Sequence, residues 1–111
     1  MRSEDRKAVT AAYKERKAVA GIYALHCDPS GQRWVGRAMD LGTVQNRLWF
    51  MLRQGLDRSR SLQAAWTRHG PQSFTFEEVE RLDDETLAYV RDKLLKERLA
   101  HWCAALAAEA I

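Results

Sequence analysis

Residues 21–36 constrain the fold most strongly, because they place two short apolar segments on either side of a turn, GIYALHCDPSGQRWVG. Residues 22–25 favour a strand, and residues 28–31, Asp-Pro-Ser-Gly, have the composition of a tight turn. Residues 33–36 resume an extended pattern. The segment therefore predicts a β-hairpin, a motif that by itself is compatible with many folds.

The spacing of hydrophobic residues, together with residues that cap or end helices, predicts the other elements. Leu41, Val44 and Leu48 recur at helical spacing after Asp40, which is a candidate N-cap. Gly70 and the following proline end a shorter helical segment. The predicted elements are an N-terminal helix over 5–18, helices over 41–54 and 61–69, a strand over 73–79, and a last helix that begins near Asp83 or Asp84 and carries the apolar stripe Leu95, Leu99, Trp102 and Leu106.

This order of elements predicts a small mixed α/β (α+β) fold with a three-stranded, mainly antiparallel sheet flanked by helices. The length of 111 residues fits one domain with one core. We expect residues 1–19 to form a helix that packs on or extends from a domain comprising residues 20–111. No stretch approaches the ~20 apolar residues of a membrane span, and the first residues lack the apolar run of a signal peptide. We therefore expect a cytoplasmic protein without membrane contact.

The two cysteines, Cys27 and Cys103, lie far apart in the sequence, and nothing else indicates a disulfide scaffold. We expect both thiols to be reduced. A metal site that combines them with the nearby His26 and His101 is disfavoured by geometry. Adjacent strand residues face opposite sides, and helix positions two apart diverge by about 160°.

Charge is segmented along the chain. Residues 33–68 carry seven arginines against Asp40 and Asp57, whereas residues 69–111 carry five basic and nine acidic side chains. Arginine suits bidentate contacts with phosphate, so we expect a nucleic-acid-binding surface, with Arg33, Arg37 and Arg53 as candidate contacts. The alternative is that these arginines cover the solvated faces of ordinary helices.

Several motifs together resemble the GIY-YIG nuclease family, over roughly residues 20–106. The resemblance implies a nuclease fold and, with DNA as the expected substrate, a nucleic-acid endonuclease. The motifs that carry it are Gly-Ile-Tyr at 21–23, Trp-Val-Gly at 34–36, Arg47, Leu62, Ala65 and Trp66, Arg-His-Gly at 68–70, Phe-Thr-Phe at 74–76, and Lys-Glu-Arg at 96–98.

The resemblance implies catalytic roles for Tyr23, Trp34 and Arg47. Tyr23 occupies the tyrosine position of the first triplet. Trp34 stands where the family has a second tyrosine, and its indole can donate one hydrogen bond but cannot accept a proton. The family's arginine position falls on Val44, so Arg47, nearly one helical turn later, is the candidate for stabilising charge on the phosphate.

For the metal that the family uses, the resemblance implies a divalent ion, Mg²⁺ or Mn²⁺, held by a glutamate of the last helix. The family's glutamate position falls on Leu99, which cannot bind a metal. Glu97 is the nearest carboxylate and the candidate ligand, although helical geometry directs it about 160° from Leu99.

Two other functions stay open. The substitutions at Trp34, Val44 and Leu99 are compatible with a degenerate domain that binds nucleic acid without cleaving it. A protein-interaction domain could instead use Trp49 or Phe50, which we expect to be exposed because they lie off the apolar stripe of their helix. Sequence specificity would come from a homodimer, a partner protein or the basic N-terminal helix.

Overall fold

The hairpin predicted from residues 21–36 forms the centre of the sheet. In the computed structural model, which describes residues 18–82 and 87–111, strand β1 spans Gly21–Cys27 and strand β2 spans Arg33–Ala38. The two strands pair antiparallel, with Tyr23 opposite Gly36 and Leu25 opposite Trp34. This register places the last residue of the first motif triplet, Tyr23, opposite the last residue of the second, Gly36.

Two further strands complete a sheet in the order β3-β1-β2-β4. Strand β3, Phe74–Arg81, pairs antiparallel with β1, and strand β4, Glu109–Ala110, pairs parallel with β2. The mixed α/β class and the mainly antiparallel sheet are therefore confirmed. The sequence predicted three strands, and the fourth is a two-residue addition at the edge of the sheet.

In the part of the chain that the structure describes, three α-helices flank the sheet: α1 spans Leu41–Arg53, α2 spans Arg60–His69 and α3 spans Ala88–Leu106. Asp40 caps α1 by accepting a hydrogen bond from the backbone N–H of Gly42. Ser59 caps α2 in the same way through the N–H of Leu62. The predicted bounds of α1 and α2 are correct to one residue.

The last helix starts later than predicted, at Ala88 instead of Asp83 or Asp84, since Leu87 has an extended backbone. Residues 83–86 are outside the described residues. The predicted N-terminal helix also cannot be compared, because residues 1–17 are not described.

The sheet separates two hydrophobic layers. Helices α1 and α2 pack on the face that carries Tyr23, Leu25 and Trp34. Helix α3 packs on the opposite face, where its stripe of Leu95, Leu99, Trp102 and Leu106 contacts Ile22, Ala24 and Val35. The apolar stripe predicted for the last helix therefore faces the sheet.

One exposure prediction is wrong. Phe50 is exposed, with 58% of its surface accessible, as the sequence predicted. Trp49 instead packs on the core, with its ring centroid 5.2 Å from that of Trp66 and 6.1 Å from that of Phe76, both in edge-on arrangements. A large ring at the flank of a narrow helical stripe can reach core partners that helical spacing does not reveal.

Both thiols are free, Cys27 buried and Cys103 half-buried, as expected. Within the described ranges, none of the helices combines the length and apolar character needed to cross a membrane.

Candidate functional site

A cleft of about 820 Å³ opens on the sheet face that carries α1 and α2. Its walls come from β1, the edge of β2, the flank of α1, the loop before α2, the first turn of α2 and strand β4. We call it the Tyr23 cleft. Its charged and hydroxyl-bearing lining residues are Tyr23, Arg37, Arg47, Asp57, Arg58, Ser59, Arg60, Ser61 and Glu109.

Tyr23 forms the floor of the cleft. Its ring stacks on Phe76, with the centroids 5.4 Å apart and the planes 17° from parallel. On the neighbouring strand Gly36 leaves the space that the ring occupies, since a Cβ at Gly36 would lie 2.4 Å from the Cζ and Oη atoms of Tyr23. The glycine of the second triplet thus positions the tyrosine of the first.

The environment keeps the Tyr23 phenol protonated. Burial raises the pKa of Tyr23, and the negative charge of Asp57 raises it further, while the charges of Arg47 and Arg58 act in the opposite direction. Because the net shift is upward from an ordinary value near 10, the phenol is neutral at physiological pH. It can donate a hydrogen bond to a ligand in the cleft.

Four arginines line the Tyr23 cleft, against two acidic side chains. Arg37 and Arg47 also line an adjoining cleft of about 420 Å³, which extends to Asp92 on α3. These two arginines therefore form the wall between the clefts. Guanidinium groups from different elements that converge in this way are suited to a ligand with several anionic oxygens.

Trp34 reaches the cleft indirectly. Its side chain is fully buried and stacks on Phe74, with the centroids 5.9 Å apart. The indole Nε1 donates a hydrogen bond of 2.9 Å to Oγ of Ser61, and Ser61 in turn donates one of 2.5 Å to Oε2 of Glu109. A chain of hydrogen bonds therefore runs from the core to a carboxylate in the cleft.

The predicted site residues divide into two groups. Tyr23, Arg37 and Arg47 are brought together in the Tyr23 cleft. Arg33 lies elsewhere, in a smaller cleft on the α3 side of the sheet that is also lined by Glu77 and Leu106. Arg53 is exposed in the last turn of α1 and does not line the cleft.

Glu97 does not line the cleft either. It is exposed on α3, which packs on the sheet face opposite Tyr23, and Leu99 packs in the apolar layer there. Within residues 18–82 and 87–111, no group of three or more His, Cys, Asp and Glu side chains could hold a metal ion. Mg²⁺ is often bound through only one or two carboxylates together with substrate phosphates. Asp57, in the cleft itself, is placed to meet that requirement, and the role of Glu97 as a metal ligand stays a prediction.

Sequence reasoning missed the contributions of Asp57, Ser61 and Glu109. The loop carrying Asp57 has a local signal, since its carboxylate accepts a hydrogen bond from the backbone N–H of Ser59, the cap of α2. Glu109 has no such signal, because it stands in an alanine-rich segment and reaches the cleft only through the pairing of β4 with β2.

No family model and no curated protein matches the chain. Among solved structures, it is similar to the catalytic domain of the homing endonuclease I-TevI, with 25% identity and a TM-score of 0.69, over 83% of this chain and 97% of that one. A mutant of the catalytic domain of the intron endonuclease I-TevI gives 26% identity and a TM-score of 0.68, over 80% and 84% of the two chains. Two motif triplets on adjacent strands, the helices on both faces of the sheet and these structural matches identify the chain as a divergent domain with the GIY-YIG nuclease fold.

Proposed function

We propose that this protein is an endonuclease that hydrolyses phosphodiester bonds in nucleic acid, with DNA as its substrate. The observation that carries the proposal is the convergence of Tyr23 with Arg37, Arg47 and Arg58 in one cleft of a nuclease-like fold. The cleft has both charge and geometry suited to a phosphate, which favours this function over a generic basic surface.

Each residue has a distinct part in the proposed reaction. Arg47 and Arg58 bind the non-bridging oxygens of the scissile phosphate and stabilise the added negative charge of the five-coordinate transition state. The neutral phenol of Tyr23 donates a hydrogen bond to the phosphate or to the attacking water. Arg37, at the boundary with the adjoining cleft, binds a neighbouring phosphate and so orients the strand.

Metal dependence is part of the proposal. Asp57 would hold the ion together with the substrate phosphate. A bound Mg²⁺ or Mn²⁺ supplies charge neutralisation at the phosphate and the leaving oxygen. The role predicted for Glu97 stays a prediction, and comparing Asp57→Asn with Glu97→Gln in a Mn²⁺ titration decides between the two carboxylates. Substitution of the carboxylate that binds the metal should raise the Mn²⁺ concentration needed for half-maximal cleavage.

The first test is nicking of supercoiled plasmid, and cleavage of branched and single-stranded DNA, by the purified protein with Mn²⁺ and with EDTA. Arg47→Ala should lower the rate about 100- to 1,000-fold, the usual cost of removing one donor to a developing anion. Arg81→Ala, which removes an exposed arginine paired with Glu78, is the control. Metal-dependent nicking that Arg47→Ala leaves intact would contradict the proposed role of the cleft.

The alternative is a domain that binds nucleic acid without cleaving it. It is favoured by the apolar packing of Leu99 and the burial of Trp34. This alternative predicts salt-sensitive binding with unaltered substrate under all metal conditions. Protein interaction through the exposed Phe50 would be favoured if no nucleic acid binds at low salt.

A homodimer or a partner protein as the source of sequence specificity stays a prediction, and so does the cytoplasmic location. Sedimentation of the protein with and without a DNA duplex tests the first of these. A change from a monomer to a two-protein complex on DNA would support the dimer.

A further inference from the structure

The direction of the hydrogen bonds from Trp34 to Glu109 follows from the chemistry of the indole. An indole N–H can only donate, so Oγ of Ser61 must accept from Trp34 across their 2.9 Å contact. The hydroxyl proton of Ser61 is then free to point at Oε2 of Glu109, 2.5 Å away. In the hydrogen bond between these two side chains, Ser61 is therefore the donor and Glu109 the acceptor.

The other groups of the cleft are poor proton acceptors or have another proposed role. Guanidinium groups have no acceptor atom, and burial and the charge of Asp57 raise the pKa of Tyr23, which favours its neutral phenol. Asp57, whose Oδ2 accepts a hydrogen bond from the backbone N–H of Ser59, is the carboxylate proposed for the metal. Glu109 is exposed, and among the described residues its Oε1 has no hydrogen-bond partner.

We propose that Glu109 is the general base of the hydrolysis, with Ser61 and Trp34 as the positioning residues that hold its carboxylate in the Tyr23 cleft. This inference rests on the proposed function and deepens it. It assigns the proton-accepting role to a residue of β4 that is connected through Ser61 to the indole of Trp34, at the position of the expected second tyrosine.

In the proposed step a water oxygen forms a bond to phosphorus while the ester bond between phosphorus and the leaving oxygen breaks. The carboxylate of Glu109 takes one proton from the attacking water. The leaving alkoxide takes a proton from solvent, and Glu109 later releases its proton to solvent. No oxidant, reductant or second substrate is needed.

A purely structural role for Glu109 makes a different prediction. In that case the bond to Ser61 would serve only to hold β4 against α2, in addition to the hydrogen bond from the backbone N–H of Ile111 to the carbonyl of Val35. Glu109→Gln keeps an oxygen that can accept from Ser61 but removes the basic carboxylate. The variant therefore separates proton transfer from anchoring.

The experiment compares the pH–rate profiles of Glu109→Gln and the unaltered protein in the plasmid assay. Glu77→Gln is the control, since it makes the same charge change on the other side of the sheet, in the cleft that contains Arg33. The end of α3 before β4, residues 104–108, has no titratable side chain. The charged and titratable groups that line the cleft with Glu109 are Tyr23 from β1, Arg37 from β2, Arg47 from α1, Asp57 and Arg58 from the loop, and Arg60 from α2.

We expect Glu109→Gln to lower the cleavage rate about 100- to 10,000-fold, the usual contribution of a general base. It should also remove the acid limb of the profile, while DNA affinity is not lowered and the urea unfolding midpoint stays unchanged. Glu77→Gln should behave as the unaltered protein. A loss of rate that leaves the shape of the profile intact, or one that follows a loss of stability, would overturn the assignment.

The outcomes also separate this inference from the proposed function. Cleavage by the unaltered protein that Glu109→Gln retains in full would overturn the role of Glu109 alone. Absence of cleavage by the unaltered protein on every substrate would overturn the nuclease proposal, and the general base with it.

Discussion

Gly36 is important for the packing of Tyr23 because it has no side chain. Its missing side chain leaves room for the Tyr23 ring, since a Cβ there would lie 2.4 Å from the end of that ring. We expect Gly36→Ala to destabilise the fold by about 1–3 kcal/mol through overpacking, measured by urea unfolding. In a Tyr23→Leu background the same change should cost much less, because the clashing atoms are gone. If Gly36→Ala lowers the free energy of unfolding equally in both backgrounds, the glycine is required by the backbone of β2 and not by the ring of Tyr23.

Tyr23 should also make stability depend on alkaline pH. Its pKa is raised in the folded protein, chiefly by burial, so its contribution is complete below the unfolded value near 10 and is lost as the pH rises through the folded value. The free energy of unfolding of the unaltered protein should therefore fall relative to that of Tyr23→Phe above about pH 10. Tyr89→Phe, at an exposed position, is the control, and parallel pH curves for Tyr23→Phe and the unaltered protein would contradict the argument.

At the scale of elements, Glu80 joins β3 to α3. Its Oε1 accepts hydrogen bonds of 2.7 Å from Nε of Arg98 and 2.8 Å from Nε1 of Trp102. We expect Glu80→Ala to destabilise the protein by about 1–3 kcal/mol, because the half-buried indole N–H loses its acceptor. Glu78→Ala, which removes only the exposed pair with Arg81, should cost under about 1 kcal/mol. Similar costs for the two variants in urea unfolding would exclude a special role for Glu80.

The hydrogen bonds that Glu80 accepts from Arg98 and Trp102 should also make the stability of the protein depend on pH in the acid range. Burial by itself would raise the pKa of Glu80, but the hydrogen bonds from Trp102 and Arg98 and the positive charge of Arg98 outweigh it and lower that pKa. A lowered folded value means that the contribution is present above the unfolded value near 4.5 and is lost as the pH falls through the folded value. The difference in unfolding free energy between the unaltered protein and Glu80→Gln should therefore shrink below about pH 4.5.

The elements that sequence reasoning could predict are those with local signals. The turn at 28–31 and the stripe of α1 act over a few residues, so β1, β2 and α1 follow from them. The pairing of β4 with β2 is a contact between distant segments of only two residues, too short to leave a pattern. For Glu97, helical spacing correctly gave an exposed position. It could not tell which face of the sheet α3 covers, and that face decides whether the carboxylate can approach Tyr23.

At the scale of the whole molecule, the sheet separates two surfaces of different character. Four of the arginines line the Tyr23 cleft. Arg33 lines a separate cleft on the α3 side of the sheet, and Arg53 is at the exposed end of α1. If nucleic acid binds in the Tyr23 cleft, the electrostatic part of its affinity should come from the arginines that line it.

Salt dependence tests this division. Removing one arginine that binds a phosphate should make the slope of log affinity against log salt shallower by about 0.9 for duplex DNA. We expect Arg37→Gln and Arg58→Gln each to change the slope by about that amount, and the control Arg81→Gln to leave it unaltered. Arg33→Gln and Arg53→Gln measure whether the predicted contacts outside the cleft also bind. If their slopes change as much as those of the cleft variants, the DNA must contact both faces of the sheet, and the cleft is not the main binding surface.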